Sequence, residues 1–256
     1  MSKRIDKRKP AAWRVLPFLV FLAGLLLVVF ASRSLWMGWR DDIAARNEYD
    51  DLRSNFESQI ETSPENPPDD PYIEDPPDPR IDMSAFIAIN PDFAGWISIE
   101  GTAVSYPVVQ GQDNDLYLTT TFSGERNPAG SIFMDYRAMA AFDTPITMLH
   151  GHNMRDGSMF TPLINYLYPE FLRHHAEITI VTAEGETLIY EIFHARRMSA
   201  WDPVYTLNFN YTGTIELFSA APPGTSRILL LSTCTSDGDR NARVLVYAAL
   251  RTGVIA

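Results

Sequence analysis

Cysteine is nearly missing from this chain of 256 residues, which contains one, Cys234. No disulfide can therefore form within the chain. Glycine-rich phosphate loops and the Cys/His spacings of metal sites are also missing, so the sequence predicts no metal and no cofactor. Lysine occurs only at positions 3, 7 and 9. Beyond position 9, arginine replaces lysine throughout the chain. We interpret this as a compositional preference for arginine.

The N-terminal region has the charge pattern of a membrane anchor. Residues 1–14 hold six basic side chains and one acidic one, and the 17 residues 15–31 carry no charge. Seventeen is the short end of the range for a bilayer-spanning helix, about 17–25 residues. Because basic flanks stay in the cytoplasm, we expect a cytoplasmic tail at 1–14, a single-pass anchor at 15–32 and the remainder outside the cell. A cleaved signal peptide is the alternative, but no Ala-x-Ala site follows the run.

The chain beyond the anchor divides into three segments. Residues 33–61 carry an apolar stripe with helical spacing, which predicts a juxtamembrane helix that packs on the main domain. The stripe consists of Ala45, Tyr49, Leu52 and Phe56. Residues 62–80 contain seven prolines and six acids, a composition typical of an extended linker. Residues 81–256 are numerous enough for one well-buried domain.

The charge of the chain beyond residue 14 limits the kinds of partner it can bind. It carries 15 basic and 31 acidic side chains, a net charge of −16. Such an acidic surface disfavours binding to nucleic acid or anionic lipid. We therefore expect no nucleic-acid partner, and contact with the membrane only through the N-terminal helix.

Short apolar runs separated by turn residues dominate residues 81–256 and predict a mainly β fold. We expect eight strands, at residues 96–99, 105–109, 131–134, 146–149, 178–181, 188–193, 228–233 and 243–250. Helical pieces are expected at residues 113–119, 160–171 and 215–220. Eight strands in one domain favour a closed or nearly closed barrel with helical insertions.

Cys234 ends one predicted strand, and Arg243 begins the next. The residues between them are rich in turn formers, so an antiparallel hairpin brings thiol and guanidinium to the same end of the sheet. A nearby cation favours the thiolate, which is the nucleophile, and a guanidinium can stabilise an oxyanion. Arg240, within the turn, is a rival for this role. A buried, inert cysteine is the alternative interpretation.

Two histidines, His150 and His152, flank Gly151 where another predicted strand ends. No third ligand has metal-site spacing, so a histidine that works with an activated thiol is the better use of this pair. We interpret His150 as a strand residue. An unpaired cysteine in an exported domain indicates either an intermolecular disulfide or a reactive thiol. We favour the reactive thiol.

These motifs resemble those of sortases, the membrane-anchored cysteine transpeptidases of monoderm bacteria. Leu231-Ser232-Thr233-Cys234, nine residues before an arginine that opens an aliphatic strand, is similar to their signature. Gly151-His152 matches their catalytic histidine. The resemblance to class B is closer still. It includes the N-terminal helix, the long stretch 197–227 before the cysteine strand, and the segments 106–111, 113–118, 129–137, 151–154 and 157–160. It implies a closed eight-stranded sortase-type barrel at residues 81–256.

The resemblance also implies roles for individual residues. Cys234 matches the nucleophile, His152 the general acid and base, and Arg243 the residue that holds the substrate carbonyl and stabilises the oxyanion. The expected substrate-binding residues are Ser232, Thr233 and Thr235. Some class B enzymes carry an acid at the position of Thr235, so any contact of that acid is missing here.

The implied reaction is cleavage of a C-terminal sorting signal after threonine, followed by transfer of the protein to an amine. The implied partners are surface proteins or pilins that carry the signal, with a lipid-linked peptidoglycan precursor or a pilin lysine as acceptor. Two alternatives stay open: an inactive sortase-like extracellular binding domain, and another extracytoplasmic cysteine peptidase or L,D-transpeptidase. An L,D-transpeptidase typically has its histidine close before the cysteine, whereas His152 precedes Cys234 by 82 residues.

Overall fold

A computed structural model describes residues 12–62, 80–138, 141–206 and 215–251 of the chain. The basic tail predicted at 1–14 and the linker predicted at 62–80 lie almost wholly outside these described residues. The chain divides into two compact units, Met1–Ala44 and Ala45–Ala256.

A helix, α1, runs from Ala12 to Thr62 and includes both helices predicted from the N-terminal sequence. Within the first unit, its large apolar side chains from Phe18 to Phe30 are exposed. Among the described residues, Phe18–Glu61 is the one helix long and apolar enough to cross a membrane. Its length and composition agree with the predicted anchor.

The C-terminal part of α1 belongs to the second unit and packs on its core, as the apolar stripe predicts. The four stripe residues are at most 5% exposed: Ala45, Tyr49, Leu52 and Phe56. The Phe56 ring stacks on Trp96 with 4.3 Å between ring centroids. The Tyr49 hydroxyl donates a hydrogen bond of 2.6 Å to the carbonyl oxygen of Gly130. This helical segment is therefore one wall of the hydrophobic core.

The described residues form eight strands that close into a barrel, which confirms the predicted fold class. The strands are β1 (Phe93–Ile99), β2 (Ser105–Val109), β3 (Ile132–Met134), β4 (Ile146–His150), β5 (Glu177–Thr182), β6 (Thr187–Ser199), β7 (Ile228–Cys234) and β8 (Ala242–Leu250). Their order around the barrel is β1-β2-β3-β4-β7-β8-β6-β5, and β5 pairs with β1 to close it. The pairs β2–β3 and β4–β7 are parallel. Because β4 and β7 are parallel neighbours, both end at the same rim.

The strand limits follow the predictions closely except in β1, which begins three residues early at Phe93, and in β6. Strand β6 has 13 residues and extends to Ser199, whereas the apolar pattern predicted an end at residue 193. Its second half carries Arg196 and Arg197 at exposed positions, which interrupt the apolar alternation on which the prediction depended. The extension matters for the site because it places these arginines beside β8.

The helical insertions are short. They are α2 (Ser84–Ile89), α3 (Pro169–His174) and α4 (Ile215–Ala220), with 3-10 turns at Leu116–Leu118, Ala141–Asp143, Thr161–Leu167 and Pro203–Thr206. The helix predicted at residues 113–119 is thus a single 3-10 turn. It is preceded by Asp113, whose carboxylate accepts hydrogen bonds from the N–H groups of Asp115 and Leu116. These two bonds hold the start of the segment whose Leu118 carbonyl contacts His152.

Alternate residues of β7 face two different apolar clusters. Leu229 and Leu231 belong to the main core, whereas Ile228 and Leu230 belong to a second cluster on the other face of the sheet. The β6–β7 connection covers this second cluster, which also includes Met148, Met198, Val204, Leu245 and Tyr247. Because side chains alternate along a strand, Cys234 lies on the face that this connection covers.

Candidate active site

Cys234 and Arg243 lie directly opposite each other at the barrel rim. They are Cα partners at the end of the antiparallel β7–β8 pair, as the predicted hairpin requires. Directly opposed residues point to the same face of a sheet, with Cβ atoms about 4.5–5.5 Å apart. The Cys234 thiol is free and the residue is partly exposed.

The pairing of β4 with β7 brings the histidine segment to the same rim. His150 is the register partner of Ser232, and the Gly151 N–H donates to the Ser232 carbonyl oxygen at 3.1 Å. The Thr233 hydroxyl donates to the Gly151 carbonyl oxygen at 2.8 Å. His152 therefore follows the end of β4 at the same position along the sheet at which Cys234 ends β7.

The orientation of the His152 ring is set by a backbone carbonyl. Its Nε2 lies 2.8 Å from the carbonyl oxygen of Leu118, in the 3-10 turn Leu116–Leu118. A carbonyl can only accept, so Nε2 carries the proton and donates. In the neutral imidazole, Nδ1 is then the nitrogen with a free lone pair. This is the nitrogen available for proton exchange.

Asn153 ties the histidine segment to the cysteine strand, a role that the sequence did not reveal. Its side-chain amide donates to the carbonyl oxygen of Cys234 at 3.1 Å and to the Ser236 hydroxyl at 2.8 Å. Asn153 belongs to the segment 151–154, Gly-His-Asn-Met, which resembles class B sortases. The sequence of that segment does not indicate which residues Asn153 contacts. The hydrogen bonds span more than 80 positions of sequence, so only the fold places the partners together.

The guanidinium of Arg243 is held by its own turn. Nη1 donates to the carbonyl oxygens of Arg240 and Ala242, at 2.9 and 3.0 Å. Arg240, the predicted rival, thus contributes its backbone carbonyl to holding Arg243. The turn between the two strands therefore determines where this positive charge lies.

The three predicted substrate-binding residues use their hydroxyl groups differently. The Ser232 hydroxyl lies 2.9 Å from the hydroxyl of Tyr205, which belongs to the β6–β7 connection. Burial raises the pKa of Tyr205, although its hydrogen bond to Ser232 works in the opposite direction. Thr233 is buried and bonded to Gly151, and the Thr235 hydroxyl donates to Asp237 at 2.6 Å. Of the three, Ser232 lies on the same face of the sheet as Cys234.

His150 belongs to a polar cluster centred on the buried carboxylate of Asp135. Arg137 binds this carboxylate through two hydrogen bonds of 2.7 Å, Asn114 donates to it at 3.0 Å, and His150 Nε2 lies 3.4 Å away. Burial alone would raise the pKa of Asp135. The hydrogen bonds from Arg137 and His150 outweigh burial and hold the pKa well below its ordinary value. His150 is thus a structural residue at the end of β4, as predicted.

Within the described ranges, no cluster of three or more His, Cys, Asp or Glu side chains has the geometry of a metal site. The groups that the fold does gather at the rim are a thiol, an imidazole and a guanidinium. Together they suit acyl transfer through a thioester, because they combine a nucleophile, a proton carrier and a positive charge for an oxyanion.

Comparison with known proteins identifies the family that combines this barrel with these groups. The sortase domain profile matches residues 97–251. Sortase B of Listeria monocytogenes is 30% identical over 188 residues, which cover 68% of this chain and 75% of that protein. The structure of a Staphylococcus aureus sortase B–substrate complex superposes with a TM-score of 0.68 at 25% identity, covering 83% of this chain and 98% of that one. A Streptococcus pyogenes class B sortase involved in pilus biogenesis gives a TM-score of 0.60 at 27% identity, covering 66% and 97%.

A rim that carries a thiol, an imidazole and a guanidinium on a closed eight-stranded barrel is the arrangement of a cysteine transpeptidase, and the chain belongs to the sortase family. Within that family it is a class B sortase. The resemblance noted in the sequence motifs is thereby confirmed.

Proposed function

We propose that this class B sortase cleaves a C-terminal sorting signal after threonine and transfers the protein to an amine. The observation that carries the proposal is the direct opposition of Cys234 and Arg243 across β7–β8, with the His152 segment on the parallel neighbour β4. The substrate complex of the S. aureus relative supports it, because that protein shares the fold and binds a substrate.

In the first half of the reaction, the Cys234 thiol gives its proton to Nδ1 of His152, and the sulfur attacks the carbonyl carbon of the threonine. Arg243 stabilises the negative charge on the carbonyl oxygen, for which its guanidinium leaves the carbonyls of the turn. The C–N bond breaks, and the leaving amine takes a proton from Nδ1 of His152. The product is a thioester between Cys234 and the substrate.

In the second half, an amine attacks the thioester carbon and gives a proton to Nδ1 of His152. A C–N bond forms, and the Cys234 thiolate is released. The acceptor is a peptidoglycan precursor peptide or a pilin lysine. The second choice has support from the S. pyogenes relative, which is involved in pilus biogenesis.

Binding of the sorting signal is assigned to the face of the sheet that carries Cys234 and that the β6–β7 connection covers. Ser232 lies on the same face and contacts Tyr205 of that connection. Thr233 and Thr235 act through the backbone around the nucleophile, since their hydroxyls are bonded to Gly151 and Asp237. The N-terminus is placed in the cytoplasm and the catalytic domain outside the cell, with residues 15–32 of α1 as the single-pass membrane anchor. The basic residues 1–14 and the apolar run that follows support this topology.

The test is mass spectrometry of the full chain in detergent, after incubation with a panel of threonine-containing sorting peptides. One peptide should leave an acyl adduct on Cys234. We expect Cys234→Ala to form no adduct, and His152→Ala to lose turnover by at least about 100-fold, because general acid–base groups contribute about 10²–10⁴. His174→Ala removes a histidine from α3 and should keep full activity.

Near-normal turnover in Cys234→Ala or in His152→Ala would contradict the assignment. A membrane-impermeant methanethiosulfonate reagent applied to intact cells adds a second control. Modification of Cys234 should abolish turnover and should proceed without permeabilisation, because the site is placed outside the cell. Activity retained after complete modification would favour the inactive-domain alternative or a different nucleophile.

A further inference from the structure

The turn between Cys234 and Arg243 contains two acids that have no assigned role, Asp237 and Asp239. Both are about half exposed, with side-chain exposures of 48% and 51%. A carboxylate this close in sequence to Arg243 is a natural competitor for its guanidinium. An Arg243 guanidinium paired with either of these carboxylates would be withdrawn from the substrate oxyanion. Arg243 therefore stays available to substrate only if these two carboxylates bind another partner.

Arg197 of β6 binds both carboxylates. Its Nε donates to Asp237 at 3.1 Å, and its Nη2 lies 2.9 Å from Asp237 and 3.2 Å from Asp239. One guanidinium thus bridges the two acids across 40 or more positions of sequence. Its planar set of donors suits such a bridge, whereas a lysine ammonium would act as a point charge.

The same carboxylates also build the turn. The second oxygen of Asp237 accepts hydrogen bonds from the Thr235 hydroxyl and the Asp239 N–H, and that of Asp239 accepts one from the Asn241 N–H. The bond from Thr235 contributes most to lowering the pKa of Asp237, followed by the Asp239 N–H and Arg197. The shape of the turn and the position of its charges are therefore coupled through Arg197.

The register of the sheet places Arg197 and Arg243 on opposite faces. Arg197 is the partner of Val244, whereas Arg243 is the partner of Met198 on one side and of Cys234 on the other. Val244 belongs to the main core, and Met198 belongs to the cluster that the β6–β7 connection covers. Because opposed residues share a face, the Arg197 side chain starts from the face away from Cys234. Asp237 and Asp239 thus bind a guanidinium whose side chain starts from that face.

We propose that Arg197 is a positioning residue for the transpeptidation reaction, a step that rests on the proposed function of Cys234 and Arg243. It binds Asp237 and Asp239 on the far side of the rim and so keeps the Arg243 guanidinium free of its own turn's acids. Arg197 does not contact the reacting atoms. Its effect reaches the reaction only through Arg243.

The test compares Arg197→Gln with the triple variant Arg197→Gln/Asp237→Asn/Asp239→Asn, each in the full chain in detergent. Arg197→Gln should lower kcat about tenfold, less than the roughly 100-fold that a misplacement of about 1 Å can cost. KM should stay within about twofold. The melting temperature should change little, because exposed ion pairs contribute little to stability. The triple variant should recover kcat to within about threefold of wild type, since asparagine keeps the turn's acceptor oxygens but cannot attract Arg243.

Arg251→Gln is the matched control. Arg251 follows β8 at the opposite end of that strand and binds Glu177 at 2.9 Å, so the variant removes a comparable exposed ion pair far along the strand from Cys234. Its kcat should equal that of wild type. Arg197→Lys, which keeps the charge but loses the bridge, should lie between wild type and Arg197→Gln.

A second measurement needs no substrate. In protein labelled with ¹⁵N-arginine, the Nε–H signal of Arg243 is identified by its absence from Arg243→Lys. It should move in Arg197→Gln and return in the triple variant. An unmoved signal with unchanged kcat, or a triple variant no more active than Arg197→Gln, would overturn the inference. If wild type forms no acyl adduct with any sorting peptide, the proposed function fails, while this signal still decides the position of Arg243.

Discussion

At the scale of single residues, the site depends on side chains that hold strand ends together as well as on those that react. Asn153 donates to the Cys234 carbonyl and the Ser236 hydroxyl, and the Thr233 hydroxyl donates to Gly151. Each bond joins the end of β4 to the end of β7 beyond the last regular ladder bond. They tie the segment that carries His152 to the end of the strand that carries Cys234.

Asn153→Ala should therefore lower kcat/KM about tenfold while costing only about 1 kcal/mol in the free energy of unfolding, the usual net value of such hydrogen bonds. The loss of activity follows from a small displacement of His152 relative to Cys234. Peptide cleavage and urea unfolding check the two numbers. Asn47→Ala, on the exposed face of α1, is the control and should match wild type in both. Unchanged cleavage by Asn153→Ala would show that the ladder alone positions the site.

At the scale of secondary-structure elements, the end of β4 is held in place by the polar cluster around Asp135. The fully buried Asp135 carboxylate is bonded to Arg137 and Asn114 and lies beside His150. Asn114 leads into the 3-10 turn whose Leu118 carbonyl accepts from His152. One buried charge thus connects β3, β4 and the turn that contacts the His152 ring.

The depressed pKa of Asp135 makes this anchor pH dependent. Because the folded-state pKa lies below the unfolded value, the stabilisation is complete above the unfolded pKa, about 4, and is lost as the pH falls toward the folded value. Asp135→Asn should lower the free energy of unfolding by about 3 kcal/mol at pH 7, since it leaves Arg137 without its buried partner. The difference between variant and wild type should shrink at pH 3.

Urea unfolding at pH 7, 5 and 3 measures this dependence. Glu125→Gln, at an exposed position, is the control and should stay within about 0.5 kcal/mol of wild type. A difference between Asp135→Asn and wild type that is the same at pH 7 and pH 3 would mean that the ionised carboxylate is not what stabilises the cluster.

At the scale of the whole molecule, the compact unit that holds the barrel begins well before residue 81. It includes the segment of α1 from Ala45 onward, which buries Tyr49, Leu52 and Phe56 and stacks Phe56 on Trp96. Trp96 itself is fully buried in β1. A chain that starts at residue 81 would expose this part of the core.

Phe56→Ala should lower the free energy of unfolding by about 3–5 kcal/mol, the range for removing a buried phenylalanine. Glu57→Ala, one position further along the exposed side of the same helix, should change it little. Denaturant unfolding measures both. Removal of residues 1–62 should destabilise the protein more than removal of residues 1–44, and equal stability of the two truncated chains would contradict the packing role of α1.

The sequence by itself determined the features that are set by local periodicity. These are the existence and nearly the limits of the eight strands, the hairpin that opposes Cys234 and Arg243, and the apolar stripe that begins at Ala45. Alternation and helical spacing are properties of neighbouring residues, so they can be read without knowing the fold. The end of β6 was missed because Arg196 and Arg197 break that alternation.

Only the tertiary structure decided which distant segments meet. The parallel pairing of β4 with β7 brings the His152 segment to the end of the strand that carries Cys234. The same pairing lets the Asn153 side chain donate a hydrogen bond to the Cys234 carbonyl oxygen. The bridge from Arg197 to Asp237 and Asp239 arises in the same way, from the pairing of β6 with β8. These contacts join residues 40 to 82 positions apart. No local pattern encodes them, because they depend on how the whole barrel closes.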